Sequence, residues 1–148
     1  MSVLFTVIFL LLLAYHAYTD MRSFLLYDRV TLALAAVGIG KAALAGDVLA
    51  ALAGAAALLS VMLAIYFASR GGMGEGDVKL AAALGMWLGV EQGLACLLLA
   101  FVGGGAVGML LLACGERRRM IPFGPFLCVA AVVAYFWGRE LVAWYWGM

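Results

Sequence analysis

The sequence predicts an all-α, polytopic membrane protein: a bundle of six transmembrane helices with the N-terminus outside. Three observations carry that prediction. Hydrophobic residues make up 68% of the chain and charged ones 11%, with a mean hydropathy of +1.16. An average soluble domain carries about twice that charged share. The apolar residues gather in runs near the ~20 residues a helix needs to cross a bilayer. All of the nine basic residues except Lys41 and Arg139 fall in alternate connecting segments, which the positive-inside rule places in the cytoplasm.

The first run, Val3–Thr19, is apolar enough for a signal peptide. No Lys or Arg precedes it and no Ala-x-Ala closes it, so it reads as a retained helix ending at Asp20. The polar turn Met21–Arg29 leads to a second helix over Val30–Ala45, and Gly46-Asp47 turns the chain into a third over Val48–Ser69. Gly71 to Lys79 then forms the most polar and glycine-rich break in the sequence. A short fourth helix covers Val78–Gly89, Glu91-Gln92-Gly93 turns it, and a fifth covers Leu94–Ala113. Arg117–Arg119 anchor the third cytoplasmic loop, and Ile121-Pro122-Phe123-Gly124-Pro125 opens the last helix, Phe126–Trp146. Trp137, Trp144, Tyr145 and Trp146 suit an aromatic belt at the outer surface. Runs such as Ala50–Ala57 let membrane helices approach closely. The whole of residues 1–148 reads as a single membrane-embedded domain.

Composition narrows the chemistry. A net charge of +1 gives no basic surface for nucleic acid. Cys96, Cys114 and Cys128 form no Cys-x-x-Cys pair and read as small apolar residues, so neither a metal site nor a cofactor is expected. There is one histidine, His16, and no serine or cysteine stands in a nucleophile pattern. The glycine loop with Lys79 resembles a phosphate cradle only loosely, lacking the Gly-Lys-Ser/Thr ending.

What remains is a pair of aspartates. Asp20 closes the first helix and Asp77 opens the fourth, which puts both at one membrane depth. Two carboxylates brought together share a proton, so one can activate water as general base while the other donates to a carbonyl oxygen. Asp77 near a helix N-terminus is the better candidate for the ionised partner. The plain alternative is that both are solvated helix caps.

Gly74-Glu75-Gly76-Asp77-Val78-Lys79-Leu80 resembles the Gly-x-Gly-Asp-x-Lys-Leu motif of the type IV prepilin leader peptidases, intramembrane aspartic proteases. On that resemblance Asp77 is the second catalytic aspartate. Asp20 matches the first, which in the family precedes an Ile-Pro-Asn. Leu26-Tyr27-Asp28 stands in that place here and departs at all three positions, which makes Asp28 a rival. Ile121-Pro122-Phe123-Gly124-Pro125 is similar to the third landmark of the family. Its irregular backbone suits holding an extended substrate.

The resemblance implies catalytic residues Asp20 and Asp77, and substrate contacts at Gly74, Gly76, Pro122, Phe123, Gly124 and Pro125. His16, Asp28 and Lys79 are possible supporting residues: His16 lies one turn before Asp20, within reach of its carboxylate. Many family members carry a cytoplasmic insertion with two Cys-x-x-Cys pairs, linked to N-methylation. The first loop here spans only Met21–Arg29, so the chain resembles the peptidase-only members. The implied activity is removal of a short basic leader from prepilin-like substrates at the cytoplasmic border of the bacterial inner membrane. Membrane lipid is the other expected partner, and the oligomeric state stays open. A non-catalytic bundle, such as a transporter or secretion-channel subunit using the same aspartates for ion binding or assembly, is the competing reading.

Overall fold

A computed structural model describes residues 2–70, 72–115 and 121–147, without the side chains of Ser2 and Trp146. It is all-helical among these residues, in the order α1 (Ser2–Ser23), α2 (Asp28–Ala45), α3 (Val48–Ala68), α4 (Glu75–Ala113) and α5 (Gly124–Trp146). The basic cluster Arg117–Arg119 lies outside the described residues.

The count of six helices therefore needs correction. Among the described residues there are five, of which α1, α3, α4 and α5 are long and apolar enough to cross a membrane. The helix count differs because the polar stretch Glu91-Gln92-Gly93 does not form a loop but stays helical, and α4 runs through it for 39 residues. The remaining helix, α2, is only 18 residues long and carries Asp28, Arg29 and Lys41.

Only Gly89 leaves the helical region inside α4, at φ 71° and ψ −170°, a conformation that glycine adopts far more easily than other residues. The contacts on either side show what this one residue does. Before it, Gly85 lies against Gly54 of α3, and after it, Gly93 lies against Leu58. The following arm then descends α5 in reverse: Gln92 faces Gly138, Cys96 reaches Leu127, and Phe101 meets Phe123. The chain doubles back at Gly89, and the two arms of α4 run in opposite directions.

Small residues set the packing distances. A Cβ on Gly54 would strike the backbone of Gly85, and one on Gly85 would strike that of Gly54, so α3 and α4 cross backbone to backbone. Around this crossing the core gathers Phe9, Leu13, Leu34, Leu58, Met62, Leu80, Leu84 and Leu127. Trp87 ties the first arm of α4 to α2 by donating its indole N–H to the Leu34 carbonyl at 2.8 Å. It also stacks on Phe9 of α1, with ring centroids 4.6 Å apart.

The connections are short and conformationally demanding. Gly46 closes α2 in the left-handed region at φ 80°, as expected for a helix-ending glycine. Phe24 after α1 and Arg70 after α3 also sit at positive φ, 53° and 49°. These two residues stand in the loops that flank the aspartates, where the backbone turns sharply without glycine.

Candidate active site

Asp20 and Asp77 come from α1 and α4 and are both buried. The helices extend further around them than expected. α1 continues past Asp20 to Ser23, and α4 starts at Glu75, so Asp77 and Gly76 both lie in its first turn. The elements that carry them meet at the first loop, where Gly76, beside Asp77, faces Leu26, just after α1.

Each carboxylate has a distinct setting. Asp20 accepts a hydrogen bond on Oδ2 from the backbone N–H of Gly124 at 2.9 Å. That amide is presented because Pro122-Phe123 is not helical and α5 begins at Gly124 with Pro125 in its first turn. A Cβ on Gly124 would lie 2.6 Å from the same oxygen, so only glycine permits the contact. Asp77 Oδ1 is buried and makes no hydrogen bond within the protein. Buried polar atoms without partners are uncommon, and a catalytic role is one reason for them to persist. Its other oxygen faces Gly74, where a Cβ would stand 3.3 Å away.

The remaining residues singled out in the sequence divide into those near this pair and those engaged elsewhere. Asp28 and Lys79 form an exposed ion pair, with Nζ 3.0 Å from both carboxylate oxygens. Asp28 is thereby tied to the first turns of α4 but stays in solvent, unlike Asp20. Gly76 faces the first loop: a Cβ there would lie 2.9 Å from Cβ of Leu26. Gly74 is exposed, while Phe123 stacks on Phe101 and lies over Gly104.

His16 is fully buried. Its Nδ1 donates to the Leu12 carbonyl at 2.8 Å, and Nε2 pairs with Thr31 Oγ1 at 3.0 Å. Its ring feels the charge of Asp20 across one helical turn but makes its hydrogen bonds elsewhere. Thr31 was not anticipated from the sequence. Its only signal there is a hydroxyl one turn into an apolar run. Cys128, one turn into α5 from Gly124, is buried in the core. No group of three His, Cys, Asp or Glu among the described residues is placed to hold a metal ion.

Chemically, the arrangement offers two buried carboxyl groups, one fixed by a backbone amide and one with a free oxygen. Such a pair can hold one proton between them and act as acid and base together.

Comparison with known proteins identifies a family. The model of the type IV leader peptidase family matches residues 7–109, which include both aspartates. A "Prepilin leader peptidase/N-methyltransferase" of Aeromonas hydrophila is 36% identical over 137 residues, covering 86% of this chain and 47% of that protein. The protein of the same description from Xanthomonas campestris pv. campestris is 37% identical over 139 residues, 85% of this chain and 47% of its own. The Legionella pneumophila one is 43% identical over 77 residues, 51% of this chain and 27% of that protein. The chain thus spans about half the length of the curated relatives it matches most fully. No solved structure matches. With its two buried aspartates inside the matched span, the chain belongs to the type IV leader peptidase family.

Proposed function

We propose that this chain is an intramembrane aspartic endopeptidase that removes the short basic leader from prepilin-like substrates, pilins or pseudopilins. The observation that carries the reading is that Asp20 and Asp77 are buried carboxylates at the ends of different helices, with Asp77 Oδ1 left unpaired. Family membership and the printed activity of the relatives support it.

In the proposed reaction the substrate strand lies against Pro122–Pro125 and the exposed backbone of Gly74. One aspartate takes a proton from the attacking water while the other protonates the carbonyl oxygen of the scissile bond. Collapse of the tetrahedral intermediate expels the amine, and the pair returns to its singly protonated state. The two groups titrate together, so the roles belong to the pair. Gly124 N–H keeps Asp20 oriented throughout, and Asp28, Lys79 and His16 act from outside, holding the first loop and the α1–α2 contact in place.

Residues 1–148 act in this proposal as one peptidase domain of the bacterial inner membrane, with the N-terminus outside and the aspartates at the cytoplasmic border. The charge distribution supports this orientation. In this proposal the two arms of α4 cross separately, in opposite directions on either side of Gly89.

Co-expression with a prepilin-like substrate tests the proposal. The wild type is expected to shorten the substrate by its leader, while Asp20→Asn and Asp77→Asn leave it uncut. Leader removal that persists in either variant would overturn the dyad. Failure of the folded wild type to cut a panel of such substrates would favour a non-catalytic bundle.

A further inference from the structure

A second polar region lies far from the aspartates. Trp87 is ten residues along the first arm of α4 from Asp77, about 15 Å at the helical rise. Tyr135 is a similar distance along α5 from Gly124. Between them opens a cleft of about 580 Å³, walled by α2, α3, the Gly89 reversal and α5. Peptide-bond chemistry at Asp20 and Asp77 makes no use of it.

The cleft is unusual in its charges. Lys41, Arg139, Asp47 and Glu140 all line it, two of each sign in a chain with very few charges. These opposite charges do not close on each other, since the one ion pair among the described residues is Lys79–Asp28. Lys41 is instead held by two aromatic rings, its Nζ 5.3 Å from the ring centroids of both Trp87 and Tyr135. This cation–π seat fixes the ammonium without neutralising it. Arg139 follows Tyr135 by one turn of α5, so it projects from the same face. Glu140 follows Phe136 in the same way, and Asp47 sits at the turn into α3. Gln92 adds a neutral donor and acceptor.

The surroundings of the cleft are apolar and open. Leu44, Leu49 and Trp137, each next in sequence to a residue that lines it, are exposed, as expected for surfaces facing acyl chains. A ligand suited to this setting carries an anion and a cation close together on an apolar body. We propose that this cleft binds the headgroup of an amine-bearing phospholipid, its phosphate on Lys41 and Arg139 and its ammonium on Glu140 and Asp47. Guanidinium and ammonium donors match phosphate oxygens, and carboxylates match a primary ammonium.

Native mass spectrometry of the detergent-purified full chain tests this independently of peptidase activity. The probes are phosphatidylethanolamine, phosphatidylglycerol of the same acyl chains, and tail-less O-phosphoethanolamine. The wild type is expected to retain phosphatidylethanolamine at least five-fold over phosphatidylglycerol. The double variant Lys41→Gln/Arg139→Gln loses that retention, whereas Asp47→Asn/Glu140→Gln shifts preference toward phosphatidylglycerol. A gain of that kind cannot come from unfolding, and Arg70→Gln, remote from the cleft, controls for general loss of positive charge. Equal retention of the two lipids by the wild type, or unchanged preference in both double variants, overturns the site. Binding of O-phosphoethanolamine without the intact lipid overturns the lipid as its source.

Discussion

The amide of Gly124 donates to Oδ2 of Asp20 at 2.9 Å, joining the first residue of α5 to the last turn of α1. This contact is possible because position 124 has no side chain, since a Cβ would meet the same oxygen at 2.6 Å and Cγ at 3.0 Å. Gly124→Ala should therefore displace the Asp20 carboxylate without adding or removing charge. Displacing a reacting group by about 1 Å can cost on the order of 10²-fold in rate. A loss of that size in leader cleavage is expected. Gly105→Ala, which meets nothing within 4 Å, should leave cleavage near wild type.

Asp28 is separated from Asp20 by its partner. Exposed ion pairs contribute roughly 0–1 kcal/mol, and Asp28 spends its charge on Lys79. Asp28→Asn is expected to retain cleavage within a few-fold of wild type and to lower Tm by no more than a few degrees. Abolished cleavage by folded Asp28→Asn would make it the first aspartate instead.

The α3–α4 crossing responds to volume in the opposite sense from a core cavity. Gly85→Ala places a methyl group against the backbone of Gly54 and Ala55, which cannot yield by rotating a side chain. Overpacking of this kind costs about 1–3 kcal/mol or more. Thermal unfolding in detergent should show a clear fall in Tm for Gly85→Ala and little change for Gly40→Ala, whose added Cβ meets nothing.

His16 and Thr31 act as a unit in holding α1 to α2. Losing one partner leaves a buried polar group unsatisfied, at about 1–3 kcal/mol. Thr31→Val and His16→Leu should each destabilise, and the double variant should lose less than the sum. A double-mutant cycle in denaturant reads the coupling; strict additivity would show that the 3.0 Å contact contributes nothing.

The thiols sort by depth. Cys96 and Cys128 are buried and Cys114 is exposed. A maleimide should label Cys114 alone in the folded protein, and all three after denaturation. Labelling of Cys128 in the folded state would reveal an opening beside the aspartates.

Part of the candidate site is legible in the sequence, for identifiable reasons. Asp20 and Asp77 stand out because ionisable groups are scarce in apolar runs and because motifs resembling those of the leader peptidases fall on them. The segment Pro122–Pro125 was marked by residues that interrupt helices, though not that its Gly124 amide would clasp Asp20. Other features left weaker traces. Gly76 looked like room for a substrate, yet Leu26 occupies that space. A glycine shows that something approaches closely but not what. Gly54 and Gly85 were lost among many small residues for the same reason. The stretch Glu91-Gln92-Gly93 reads as a turn because Glu91 and Gln92 stand in it. The turn is made by one glycine dihedral, and those two side chains remain on a helix.

That single dihedral also constrains how the protein is made. A straight helix of 39 residues would be about 58 Å long, roughly twice the ~30 Å hydrocarbon thickness of a bilayer. The positive φ at Gly89 turns that single rod into two arms lying side by side. A bulky β-branched residue is strained at such a φ, so Gly89→Val is expected to lower the yield of folded protein recovered from the membrane fraction.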